Sequence, residues 1–150
     1  MTASDSAFRH DVADAVLRLP VAAAFGITFT ELADGRAEAR LAWRPELSHA
    51  SGVFQASPIA TLADFTGGAA AVTLLPPGST AATIDYTAKF LTEARGDHLI
   101  ARARVLRPGA TLTVVAADIY VVHNTSEVLC ATALVTMRNI VKTAHSADAA

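Results

Sequence analysis

Residues 57–75, SPIATLADFTGGAAAVTLL, constrain this chain more than any other stretch. Ser57 suits an N-cap and Pro58 the first turn, and Pro76-Pro77-Gly78 closes the segment. Apolar side chains fall all round this helix, not on one stripe, so it needs burial on all sides. Gly67 and Gly68 each cost about 1 kcal/mol relative to alanine in a helix. Close approach to a neighbouring backbone would offset that cost; the alternative is a local kink. Inside the segment stands one charge. Asp64 is the only Asp, Glu, Lys or Arg between Glu46 and Asp85. A carboxylate in apolar surroundings is expensive unless paired, which makes it a candidate general base or nucleophile.

The rest of the chain reads as a surface that wraps such a helix. Residues 6–19 carry Phe8, Val12, Val16 and Leu19 at helical spacing, and Pro20 interrupts them. A short apolar segment, VAAAFG, leads on to a strand at 27–32. Asp34-Gly35 is a tight-turn pair, and 36–43 alternate, with Arg36, Glu38 and Arg40 opposite Ala37, Ala39, Leu41 and Trp43. Residues 44–56 read as a loop. Strand patterns follow at 80–90, 98–106, 111–123 and 127–138, separated by turn residues at 95–97, 108–109 and 124–126. The order is helix, two strands, buried helix, four strands. A curved antiparallel sheet of about six strands around the central helix accommodates it. The expected α+β architecture is a single domain over 1–150, with its core at 19–139 and a frayed tail at 140–150.

Composition excludes several classes of function. Hydrophobic residues make up 52% and charged residues 17%, with net charge -2, so the chain is globular and lacks a basic nucleic-acid face. The lone cysteine, Cys130, reads as a core residue, and no Cys/His cluster has metal spacing. No signal-peptide pattern or clean membrane span is present, so a cytoplasmic location is expected. There is no G-x-S-x-G elbow, phosphate-binding glycine loop, H-E-x-x-H or CxxC pair. Ahead of the central helix, HASGVFQAS brings a polar loop to the helix N-terminus, where backbone amides can hold the oxyanion of an acyl-transfer intermediate.

The stretch HASGVFQASPIATLADFTGGAAA, residues 49–71, resembles the signature of the PaaI-like acyl-CoA thioesterases of the hotdog superfamily. There an Asn-x-x-Gly loop leads to a His-Gly-Gly or Gln-Gly-Gly step and a helix bearing Leu-Ala-Asp. The resemblance implies a hotdog fold and hydrolysis of an aryl- or short- to medium-chain acyl-CoA. It implies Asp64 as catalytic carboxylate, Ala56 N–H as the donor that polarises the thioester carbonyl, and Gln55 beside that carbonyl. Gly52 matches the loop glycine and Ser57 the second glycine of the pair. Thr83 matches a residue that steadies the attacking water from the neighbouring subunit. His49 stands where the family has Asn, and Ala56-Ser57 replaces Gly-Gly. Lys89, Arg107 and Arg138 are candidates for the coenzyme A phosphates. The resemblance further implies no metal or separate cofactor, with coenzyme A as part of the substrate, and a homodimer or homotetramer with the site at the subunit interface. The departures at His49 and Ala56 motivate the rival expectation, an acyl-CoA-binding protein without turnover. A hotdog dehydratase is less well matched, since no Asp-x-x-x-x-His dyad occurs.

Overall fold

The computed structural model describes residues 7–143. Two short helices precede the sheet, α1 at His10–Leu17 and α2 at Pro20–Phe25. The single helix expected at 6–19 is thus shorter, and Ser6 lies outside the described residues. The apolar segment after it is itself helical. Pro20 opens α2 at its first position, Leu19 before it is extended, and Gly26 closes it with φ 73°.

Strands β1 (Thr28–Ala33) and β2 (Arg36–Ala42) form the expected hairpin. Asp34 and Gly35 both have positive φ, 51° and 74°, which two-residue hairpin turns require. The following segment is more ordered than a loop. It holds a 3-10 turn at Pro45–Leu47 and a small hairpin of β3 (Ser48–Ala50) and β4 (Val53–Phe54).

The central helix α3 spans Ala56–Val72. Gln55, not Ser57, is its N-cap residue, and no side chain caps it. Pro58 keeps its place in the first turn. Four long strands follow: β5 (Thr80–Phe90), β6 (His98–Pro108), β7 (Leu112–His123) and β8 (Ser126–Ile140). The sheet has six strands in the order β1-β2-β6-β7-β8-β5, all neighbours antiparallel. It wraps α3, which touches β1, β2, β5, β6, β7 and β8. This is the hotdog α+β fold.

Alternation sorts the sheet residues. Ala37, Ala39, Leu41, Val115, Ala117, Ile119, Val135 and Met137 are buried against Ile59, Leu62, Ala63 and Ala70 of α3. The helix glycines sit where the sheet comes closest. A Cβ at Gly67 would lie 3.3 Å from Val135, and one at Gly68 would lie 3.1 Å from Met137. Close packing, not a kink, explains them, since α3 runs unbroken through both. Cys130 is fully buried and donates to the Ile119 carbonyl at 3.3 Å; burial pushes its thiol up to about 11. Among the described residues, no helix is long and apolar enough to cross a membrane.

Within the single chain α3 is not covered on all sides. Ala60, Thr61, Asp64, Phe65, Gly68 and Val72 are only half-buried. The sheet grips one side of the helix, and a stripe from Ala56 past Asp64 stays partly open in the single chain.

Candidate active site

Asp64 stands on that open stripe, so its carboxylate is half-buried, not enclosed. Thr83 Oγ1 donates a hydrogen bond to Asp64 Oδ1 at 2.7 Å. Thr83 thus bonds the carboxylate of its own chain. A β-bulge makes this possible. The β5–β8 register shifts between Thr83 and Asp85, so Thr83 pairs with Met137 and Tyr86 with Val135. Met137 and Val135 both point inward. Without the bulge, strict alternation would send Thr83 and Tyr86 to opposite faces.

Tyr86 is the residue that sequence reasoning missed. Its hydroxyl donates to the Ala60 carbonyl at 3.0 Å, one helical turn before Asp64. Burial, assisted by the nearby Asp64 charge, pushes the phenol up to about 12. It therefore remains a protonated donor and ties β5 to α3. Ala60, Thr61, Asp64, Thr83 and Tyr86 line an open pocket of 280 Å³. No motif marks Tyr86, because its orientation follows from the bulge.

The second half of the site lies at the other end of the stripe. His49, Gln55 and Ala56 line another pocket of 280 Å³, together with Phe54, Ile59, Phe90 and Glu93. Strand β4 and the start of α3 place them. Phe54 N–H bonds Ala94, and Gln55 N–H bonds Leu47, at 2.9 Å each. Gly52 makes the β3–β4 turn with φ 73°, a conformation that other residues adopt only under strain. The first amides of α3 have no intrahelical carbonyl to pair with and sit at the positive end of the helix. Glu93 was not anticipated there; Arg95 holds it at 2.9 Å and compensates its charge.

Ala56 and Asp64 are eight residues apart on one helix, which separates them by about 12 Å. One thioester cannot touch both in a single chain. Ser57 sits in the first turn, exposed, and its carbonyl accepts from Thr61 at 2.9 Å. Lys89, Arg107 and Arg138 are exposed and lie on the sheet face turned away from α3, beside Thr132, Val114 and Leu112. They reach neither pocket of their own chain. Among the described residues, no group of three or more His, Cys, Asp or Glu has metal-binding geometry.

The family model described as the thioesterase superfamily matches residues 57–128, the span that carries α3 and most of the sheet. A thioesterase family protein from Silicibacter pomeroyi has a similar structure at 30% identity. The match covers 88% of this chain and 97% of that one, with a TM-score of 0.83. The chain belongs to the thioesterase superfamily. It is a thioester hydrolase of the hotdog type. More distant structures share the fold alone. A thioesterase from Haemophilus influenzae is 23% identical, covering 88% of this chain and 90% of that one, with a TM-score of 0.76. A phenylacetic acid degradation-related protein from Ralstonia eutropha is 20% identical, covering 86% and 99%, with a TM-score of 0.71. No curated protein matches the chain.

Proposed function

We propose that this thioesterase hydrolyses acyl-coenzyme A to a carboxylic acid and free coenzyme A, at a site completed by two copies of the chain. The separation of about 12 Å between the Ala56 amide and Asp64 carries this reading. Ala56, Ala60 and Asp64 repeat every fourth residue, so they share one helical face. A two-fold axis beside Ala60 would lay two α3 helices antiparallel and bring each Ala56 to the partner's Asp64. Strand β5 favours such a pairing. It is an edge strand of 11 residues, with Ile84 54% and Phe90 50% exposed, and a long apolar edge needs cover.

In that dimer the thioester carbonyl sits at the α3 N-terminus. The Ala56 N–H, with Gln55 and His49 alongside, stabilises the developing oxyanion. Asp64 from the other copy, oriented by its own Thr83, removes a proton from water as the water attacks the carbonyl carbon. Alternatively it attacks directly, to give an anhydride that water then cleaves. In both routes the C–S bond breaks, and coenzyme A leaves as a thiolate that takes up a proton. Gly52 shapes the loop beside the reacting group, and Ser57 adds a second first-turn amide. Lys89, Arg107 and Arg138 meet the coenzyme A phosphates only where assembly brings a partner's site to the outer sheet face.

The test is free thiol release from a panel of acyl-CoA thioesters, with wild type and Asp64→Asn side by side. The amide keeps the size of the carboxyl and its hydrogen bond from Thr83, so the fold should survive. Turnover should fall at least 1,000-fold, roughly the value of an essential general base or nucleophile. Near wild-type turnover in the variant would remove Asp64 from the mechanism. Binding without turnover in the wild type would favour an acyl-CoA-binding role.

A further inference from the structure

A second cleft touches Asp64, on the side away from Tyr86. It is a narrow throat of 130 Å³ between α1 and α3, walled by Val16, Leu19, Phe65, Gly68, Val72 and Met137. Asp64 and Thr83 stand at one end and Thr80 at the other. Val16, Leu19, Val72 and Thr80 also border a wider cleft of 560 Å³, so the throat adjoins it. The wider cleft carries Asp11, Asp14, Arg18 and Ser79, which make it a wet mouth. A mostly apolar throat therefore lies between the carboxylate and the cleft beside the N-terminal helix.

We propose that this throat is the acyl channel, and that the preferred substrate carries an unbranched aliphatic chain of medium length gauged by α1. The inference rests on the thioesterase reading above and adds the substrate class. Asp64, Gly68 and Val72 lie on one stripe of α3, about 12 Å from first to last, which matches an extended chain of roughly eight to ten carbons. A phenyl or benzyl group ends within the first turn past Asp64 and leaves the stretch from Gly68 to Val72 unfilled. Gly68 keeps the passage open, since its missing side chain would stand in the throat 3.1 Å from Met137 Cε. The α1 wall is fixed. Arg9 donates to the Thr73 and Leu75 carbonyls at 2.9 and 3.2 Å, and its own amide bonds Leu32 at 2.8 Å. Leu19 is 48% exposed, so a larger side chain there leaves the core undisturbed, whereas half-buried Val16 packs at the core's edge.

The experiment measures kcat/KM by thiol release for straight-chain CoA thioesters from butyryl to tetradecanoyl, with benzoyl- and phenylacetyl-CoA beside them. Wild type should gain about fourfold for each methylene that enters the channel, up to octanoyl or decanoyl. Val16→Trp, and independently Leu19→Trp, should lower the decanoyl-to-butyryl preference at least tenfold. A flat wild-type profile, a preference for the aryl esters, or a preference that neither tryptophan changes would overturn the channel. If wild type releases no thiol from any ester, the hydrolase reading fails by itself. The channel is then read from binding of the non-hydrolysable thioethers S-decyl- and S-butyl-coenzyme A. Decyl binding at least tenfold tighter, and lost in Val16→Trp, supports it; equal binding of the two refutes it.

Discussion

Asp64 and Arg9 show how single side chains serve different parts of the same helix. Asp64 sits mid-helix, partnered by one threonine hydroxyl and open to a pocket, an arrangement suited to exchanging protons with a bound molecule. Arg9 lies at the C-terminal end and binds the Thr73 and Leu75 carbonyls just past α3, where a cation complements the helix dipole. Asp11 grips the same guanidinium through two bonds of 2.8 Å. That contact, against a smaller opposing effect of burial, raises the Arg9 pKa. Arg9→Ala should therefore destabilise the fold by about 1–2 kcal/mol and lower Tm by a few degrees. It should also loosen α1. Thermal melts of the two proteins, followed by circular dichroism, check this.

At the scale of elements, the outer face of the sheet is held by a charge network across three strands. Arg102 on β6 bonds Glu38 on β2 at 2.8 Å and Glu127 on β8 at 2.7 and 2.9 Å, and lies 5.0 Å from the Tyr120 ring centre. Burial pushes the Glu38 carboxyl up, but hydrogen bonds from Arg102 and Thr30 outweigh it and leave the pKa below its usual value. A carboxylate lowered by folding contributes stability above its unfolded pKa and loses it as pH falls through the folded value. Stability should accordingly fall from about pH 4.5 downward, and Glu38→Gln should flatten that dependence at a cost of about 0.5–1 kcal/mol near neutrality. Urea titrations between pH 3 and 7 would show whether the two profiles converge in acid. The paired strands were legible from alternation at 36–43, where Glu38 fell on the polar face. The partners were not, because cross-strand neighbours depend on the sheet order.

Over the whole molecule, the open stripe of α3 and the bare β5 edge are the surfaces on which the proposed two-chain site depends. If each site joins Ala56 of one copy to Asp64 of the other, two inactive variants should rescue each other. Ala56→Pro removes the donor N–H at the first helical position, where proline is tolerated. Asp64→Asn removes the carboxylate. In mixed dimers one site pairs the intact Ala56 with the intact Asp64, and the second site is doubly defective. Co-refolding equal amounts should restore about a quarter of wild-type turnover, since half the dimers are mixed and each has one working site. No recovery above either parent alone would place both groups in one chain. Size-exclusion chromatography with light scattering on the same samples reads the assembly directly.

Local chemistry in the sequence determined the central helix, the six strands of the main sheet and the turns between them. The all-round apolar pattern of 57–75 specified a central helix, the Asp34-Gly35 pair specified a hairpin turn, and the isolated charge at Asp64 marked the candidate catalytic position. These features depend on neighbours within a few residues, so the chain order alone reveals them. Tertiary structure decided what surrounds that charge. A bulge between Thr83 and Asp85 reversed the side-chain parity of β5 and aimed both Thr83 and Tyr86 at the helix. The sheet order put β5 at the edge, and the dock of α1 made a throat beside Asp64. Each is a distance or a parity set by long-range pairing, which residue types and spacing do not encode.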